Sequence, residues 1–182
     1  AVATYRSDRQ AYVLPSSVVN NAKHPIIEES HNGIWLTGDS VILGIKNKLE
    51  STVPINILNA RVGRQIGELI RAVQADKSKA ANIPVVLDLG NNNRLNETDV
   101  VTLMDLLKNQ SKIVVVNTAV PRAWKEENDQ IIAKVLSFYP NAHLIDWNSI
   151  SHGHPEFFAP DAVHLNNNGS DVYVAAIVEA LK

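Results

Sequence analysis

Short apolar runs alternate with segments of helical periodicity along most of the chain. Five runs have the length of buried strands, at residues 33–37, 55–60, 83–89, 113–117 and 143–146. Apolar residues recur at helical spacing over residues 41–49, 65–74, 97–109, 124–138 and 171–181. Parallel strands need long crossovers, usually helices, which cover both faces of the sheet. The pattern therefore predicts a three-layer α/β/α sandwich with a parallel sheet of about five strands.

The clearest predicted helix spans residues 97–109, because a broad apolar stripe follows Asn96, a favourable N-cap residue. Residues 1–30 are mostly polar and aperiodic, which is typical of a linker or an N-terminal arm. We therefore predict one domain over residues 31–182, a length within the usual range of a single domain.

Composition narrows the classes of function. The 182 residues contain 17 Lys and Arg against 19 Asp and Glu, a formal charge of −2, which disfavours a nucleic-acid binder. Cysteine is absent, which removes disulfides, thiolate metal sites and a cysteine nucleophile. The chemistry must therefore come from hydroxyl, imidazole, carboxylate and amide groups.

Two strand ends carry residues that suit nucleophilic catalysis. Ser40 follows the first strand and opens a helix, where the dipole favours developing negative charge. Asp161 and His164 follow the last strand, and a serine needs such a base with a carboxylate to orient it. In a parallel sheet the ligand crevice lies outside the carboxyl ends of the strands. The fold would thus bring the three side chains together, although each motif alone also fits a helix cap or a surface turn.

An acyl-transfer site also needs donors to an oxyanion. The candidates are the backbone N–H groups of Ser40 and Gly63 and the side-chain amide of Asn92. A glycine allows close backbone approach to a ligand, but Gly63 also suits an ordinary tight turn. Asn91 and Asn93 flank Asn92, and asparagine tolerates left-handed turns.

These residues resemble the four signature blocks of the SGNH (GDSL-type) hydrolases, in the same order. The blocks are Gly38-Asp39-Ser40, Gly63, Gly90-x-Asn92 and Asp161-x-x-His164, and the resemblance spans residues 33–182. Longer stretches, at residues 35–41, 61–65, 120–124 and 154–165, resemble the catalytic domain of peptidoglycan O-acetyltransferases of the OatA type. Asn93 departs from the pattern, since the hydrolases have aspartate there and the acetyltransferases glycine.

The resemblance implies a Ser40, His164 and Asp161 triad that works by a ping-pong route. An acetyl group would pass through Ser40 to the C6 hydroxyl of N-acetylmuramic acid in peptidoglycan, with no cofactor and no metal. It also implies an extracytoplasmic location and an upstream membrane acyltransferase domain that supplies the acetyl donor. Arg122 and Trp124 are hypothesised to shape the acceptor site, although Arg122 also suits a solvated loop and Trp124 a buried helix position.

Three alternatives remain open on the sequence. A cell-wall or polysaccharide acetyl esterase would use the same acyl-enzyme and differ only in the attacking hydroxyl. A metal site could be built from histidines near the carboxyl end: His143, His152, His154 and His164. A non-catalytic glycan-binding module could use Trp124, Trp147 and Tyr139 as stacking platforms.

Overall fold

The computed structural model describes residues 33–182, so the predicted arm at residues 1–30 lies outside the described part. Its five strands are all parallel, in the spatial order β2-β1-β3-β4-β5. They are β1 (Ile34–Gly38), β2 (Ile55–Ala60), β3 (Val85–Asp88), β4 (Ile113–Val116) and β5 (Ala142–Ile145). The predicted three-layer fold with a five-stranded parallel sheet is confirmed.

Helices cover both faces of the sheet. They are α1 (Ser40–Glu50), α2 (Ile66–Asp76), α3 (Glu97–Leu107), α4 (Lys125–Leu136), α5 (Trp147–Ser151) and α6 (Asn167–Leu181), with a 3₁₀ turn at Pro155–Phe157. One core lies under α2, α3 and α4, and the other under α1, α5 and α6. Alternate strand residues supply the two cores, as Trp35 and Leu36 of β1 show by facing opposite layers.

The largest differences from the predictions are one helix start and two short elements. Helix α6 begins at Asn167, four residues before the predicted start at 171, because Asn166 caps it and its first turn is polar. The last loop contains α5 and the 3₁₀ turn, which were not predicted because both are too short to show a periodicity. The N-cap role of Asn96 is confirmed, since its side chain accepts the Asp99 N–H.

The order of the strands fixes where a ligand crevice forms. Strand β1 connects to β2 on one side and β3 connects to β4 on the other, so the connections after these two neighbouring strands leave in opposite directions. Such a switch point opens a crevice outside the carboxyl ends of the two central strands. The residues that follow β1 and β3 therefore lie beside this crevice.

Candidate active site

The turn between β1 and α1 presents Ser40 as the first residue of a helix. Asp39 is the N-cap, and its Oδ1 accepts the Val41 N–H at 2.8 Å. The Ser40 N–H lies in the first turn, where no carbonyl of the same helix can accept it. Gly38 has a φ of +149°, and a Cβ there would overlap Asp88 Oδ1. This close packing explains why a glycine precedes the turn.

The fold brings Ser40, His164 and Asp161 into one hydrogen-bonded chain. Ser40 Oγ lies 3.0 Å from His164 Nε2, and His164 Nδ1 lies 2.6 Å from Asp161 Oδ2. The two ring nitrogens thus contact different partners, as a general base with an orienting carboxylate requires. About half of the side-chain surface of both His164 and Asp161 is exposed, at 48% and 49%.

Asp161 is held by its own loop. Its Oδ1 accepts the N–H groups of Val163 and His164 at 2.9 and 3.0 Å, while Ala162 between them has a φ of +57°. The hydrogen bond from His164, reinforced by these backbone donors, lowers the pKa of Asp161 to about 2. Asp161 is therefore ionised at neutral pH and can stabilise an imidazolium.

Gly63 lies in a tight turn after β2. The Arg64 N–H donates to the Arg61 carbonyl at 3.3 Å, Gly63 has a φ of +70°, and the space where its Cβ would point is open. The Arg64 guanidinium fixes the turn by donating to the carbonyl and side-chain oxygens of Asn59, at 2.6 and 2.8 Å. The role of Gly63 as an oxyanion donor remains a prediction.

The three consecutive asparagines have different partners. Asn92 Nδ2 donates to Asp39 Oδ2 at 2.7 Å and to the Arg64 carbonyl at 3.1 Å, so it links the serine turn to the Gly63 turn. Asn91 Nδ2 donates to Asp39 Oδ2 at 2.9 Å, and Asn93 accepts the Ile66 N–H at 3.3 Å. Asn92 is thus the asparagine that bridges the two candidate donor turns, and its oxyanion role remains a prediction.

Asn128, on α4, hydrogen-bonds to the loop that contains the three asparagines. The sequence did not identify it as a site residue. Its Nδ2 donates to the carbonyls of Gly90 and Asn93, both at 2.9 Å, and its Oδ1 accepts the Leu95 N–H at 2.8 Å. Asn128 is fully buried. A polar residue in the middle of a predicted helix gives no sign that its partners come from another loop.

Arg122 and Trp124 lie in the loop between β4 and α4. Arg122 is exposed, and within residues 33–182 its side chain makes no hydrogen bond or ion pair. Trp124 is half-buried, and its indole N–H is buried without a partner in the same region. Their acceptor role remains a prediction.

The four histidines of the metal-site alternative lie in different surroundings. Among the described residues, no group of three or more His, Asp or Glu side chains could hold a metal ion. His143 lies on β5, where burial and the neighbouring Lys112 lower its pKa. His154 stacks on Phe157 and contacts Glu156 at 2.8 Å. The arrangement of residues 33–182 therefore gives the metal-site alternative no support.

Two of the three proposed sugar platforms are engaged in packing. Trp147 is buried and packs edge-on against Tyr173, with 5.0 Å between the ring centroids. Tyr139 is tied to α3, since its hydroxyl lies 3.0 Å from Asp105 Oδ1. These contacts favour the structural roles of both aromatic residues.

The chain and its fold are similar to those of known proteins. The chain is 37% identical over 145 residues to the peptidoglycan O-acetyltransferase OatA of Listeria monocytogenes, which covers 79% of this chain and 23% of that protein. The structure also matches the C-terminal catalytic domain of Streptococcus pneumoniae OatA, with a TM-score of 0.65 and 25% identity over 82% of this chain and 92% of that one. The chain is a homologue of the OatA catalytic domain. Its fold is that of the SGNH (GDSL-type) hydrolases.

Other SGNH-type folds match as well. A lipase/acylhydrolase of Enterococcus faecalis has a TM-score of 0.63 at 16% identity, with 80% of this chain and 93% of that one covered, and shows the fold alone. No family model matches the chain. The chain spans about a quarter of the length of the curated relatives it matches. Within residues 33–182, no helix is both long and apolar enough to cross a membrane.

Proposed function

We propose that this SGNH domain transfers an acetyl group to the C6 hydroxyl of N-acetylmuramic acid in peptidoglycan. The observation that carries the proposal is the continuous hydrogen-bonded chain from Ser40 through His164 to Asp161. The 37% identity to Listeria OatA supports the acetyl group and the acceptor. The proposed reaction therefore moves an acetyl group from an ester of an alcohol or thiol, the donor, to a sugar hydroxyl, the acceptor.

The first half-reaction acetylates the enzyme. Ser40 Oγ attacks the acetyl carbonyl while His164 Nε2 takes its proton, and Asp161 stabilises the resulting imidazolium. The tetrahedral intermediate then collapses, and His164 returns the proton to the departing alcohol or thiol. An acetyl ester on Ser40 remains.

The second half-reaction repeats these steps in reverse. His164 removes the proton from the C6 hydroxyl of the sugar, whose oxygen attacks the acetyl carbon. Collapse of the second intermediate releases the O-acetylated sugar and returns the proton to Ser40. No cofactor or metal enters either half-reaction of the proposed route.

Three donors would stabilise both oxyanions: the N–H groups of Ser40 and Gly63 and the Asn92 amide. Removal of one such donor typically raises the barrier by about 2.7 to 4 kcal/mol. The Asn92 amide already contacts the Arg64 carbonyl at 3.1 Å. This contact is the longer of the two hydrogen bonds that the Asn92 amide donates. An oxyanion would weaken or replace it.

We propose that Arg122 and Trp124 shape the acceptor side of the site, since they lie in the loop that follows β4. We also propose that the domain acts on the extracytoplasmic side, with acetyl groups supplied by an upstream membrane acyltransferase domain. The small share of the relatives' length that the chain spans is consistent with further domains in such proteins.

An acetyl esterase is the second candidate function. The half-exposed His164 and Asp161 favour it, because water can approach the base that would activate the attacking hydroxyl. Transfer and hydrolysis share the acetyl-enzyme and differ only in which hydroxyl attacks it. The outcome therefore depends on how well the acceptor is positioned.

Mass spectrometry after reaction with an acetyl-ester donor tests both candidates. We expect one acetyl group on Ser40 and, when chitooligosaccharide or peptidoglycan fragments are added, acetylated sugar. Acetate alone at every acceptor concentration would favour the esterase. An unmodified Ser40 with undiminished turnover would contradict both.

A further inference from the structure

A buried carboxyl group lies beneath the Ser40 turn and has no step in the proposed reaction. Asp88 ends β3 and is 3% exposed. Its Oδ1 accepts the Asp39 N–H at 2.9 Å, so it contacts the backbone one residue before the nucleophile. Its Oδ1 also fills the space that a side chain at Gly38 would need.

Asp88 shares its surroundings with a second carboxyl group. The Asn91 amide nitrogen lies 2.9 Å from Asp39 Oδ2 and 3.2 Å from Asp88 Oδ2, so the two carboxyl groups meet at one amide. Asp39 also receives the Val41 N–H and the Asn92 amide. Asp39 therefore has the donors that a carboxylate needs.

Within residues 33–182, no Lys, Arg or His side chain pairs with either of these two carboxyl groups. The Arg64 guanidinium lies nearby, but its terminal nitrogens donate to Asn59. On the other side, Tyr173 of α6 is fully buried and keeps its proton, since burial and the two acids raise its pKa. Strand β4, which pairs with β3, is Ile-Val-Val-Val and contributes no charged group. Two adjacent buried carboxylates would repel each other strongly under these conditions.

We propose that Asp88 is a positioning residue, a neutral carboxylic acid whose O–H donates to the Asp39 carboxylate and so fixes the turn that presents Ser40. Its carbonyl oxygen accepts the Asp39 N–H, and its proton occupies the gap between the two acids. Every polar atom of the pair then has a partner. Burial, and next the neighbouring Asp39, raise the pKa of Asp88 well above its usual range, in agreement with this assignment.

The proposal predicts that asparagine can replace Asp88 with little loss of reactivity and that alanine cannot. Asn keeps the acceptor for the Asp39 N–H and a donor toward the Asp39 carboxylate, and it loses only the acceptor of the Asn91 amide at 3.2 Å. Asp88→Asn should therefore label at Ser40 within about threefold of the wild-type rate at pH 7. Asp88→Ala should lower that rate by at least about 100-fold, the effect of misplacing a reacting group by about 1 Å. Labelling by a sulfonyl fluoride, followed by mass spectrometry, measures both without any acceptor.

The dependence on pH separates positioning from simple packing. As the pH rises through the raised pKa of Asp88, the wild-type turn loosens because Asp88 loses its proton, so the ratio of the Asp88→Asn rate to the wild-type rate should rise. Asp76→Asn is the matched control, because Asp76 is also buried but lies beside Lys79. Its ratio to wild type should stay constant. A flat ratio for Asp88→Asn, or a loss at pH 7 equal to that of Asp88→Ala, would overturn the proposal.

A stability measurement keeps this test independent of the proposed function. Because the pKa of Asp88 is raised on folding, wild-type stability is lost as pH rises above the unfolded value of 3.8. The melting temperature of Asp88→Asn minus that of the wild type should therefore increase as the pH rises. Absent labelling of Ser40 would contradict the proposed function, whereas an unchanged melting difference would contradict the role of Asp88.

Discussion

The two ends of the triad are held in different ways. Asp39, beside the nucleophile, has partners 49 to 53 residues away, at the end of β3 and in the half-buried loop that follows it. The loop that carries Asp161 and His164 is held by bonds within itself, such as the Ala159 N–H to the His164 carbonyl at 2.8 Å. Asp39 and Asp88 are buried, whereas about half of the Asp161 and His164 side chains is exposed.

This difference predicts which substitutions should lower the stability of the fold and which should lower only the rate of the reaction. Changes at the serine turn disturb contacts between the central strands, so most of them should also cost stability. Changes in the histidine loop disturb short-range contacts at the surface, so they should leave the fold intact. Four predictions would break or sharpen this contrast.

The largest effect on rate should come from Ser40→Ala, which removes the nucleophile and leaves its turn in place. We expect ester hydrolysis and acetyl transfer to fall by about 10⁴-fold or more. Circular dichroism should show an unchanged fold, since the Asp39 cap does not involve the serine hydroxyl. Turnover near the wild-type level would show that another residue is acylated.

Asp161→Asn should follow, with a loss of about 10² to 10⁴-fold in kcat/KM. The amide cannot stabilise the imidazolium as the ionised carboxylate does. Because the pKa of Asp161 is lowered to about 2, wild-type activity should not lose this carboxylate anywhere above about pH 4. A melting temperature close to wild type is expected, and a severe loss of stability would contradict the contrast between the two regions.

Gly38→Ala and Gly153→Ala compare the two regions directly, since both glycines have positive φ. A methyl group at Gly38 would overlap Asp88 and approach Ile42, so we expect a loss of about 2–5 kcal/mol in unfolding free energy. At Gly153 the space is open, and only backbone strain of about 1–2 kcal/mol remains. Urea unfolding of both variants measures the difference, and equal losses would count against it.

The smallest effect concerns Asp129 on α4, which accepts the Thr118 N–H at 3.1 Å. Burial raises the pKa of Asp129 from 3.8 to about 7, so wild-type stability from this group is lost as pH rises through that interval. The melting temperature of Asp129→Asn should therefore gain a few degrees on wild type between these pH values and stay level above them. A constant difference across the interval would show that Asp129 is not buried enough to resist ionisation.

The sequence predicts the layers of this fold because each strand and long helix carries its own apolar pattern. It also places Ser40, Asp161 and His164 at one edge, since parallel strands end on the same side. The early start of α6 could not be predicted, because its first turn is polar and contains Gly169. That glycine exists for a tertiary reason, since a Cβ there would overlap the Phe157 carbonyl.

The residues that support the site were less accessible to prediction. Asp88 gave a weak signal, as an acidic residue inside an otherwise apolar run. Asn128 and Arg64 gave none, because their partners lie on other elements and follow from packing alone. A pattern along the chain reports what each segment buries, but it does not report which loops share a hydrogen bond.

The contact between Ser40 and His164 joins residues that lie 124 positions apart. A polypeptide emerging from the ribosome or a translocation pore makes the alcohol before its activating base. Chains made only as far as β5 therefore carry an inert hydroxyl, and acylating power arises only when the loop after β5 has been made and has packed. Synthesis itself delays the chemistry until both parts of the site are present.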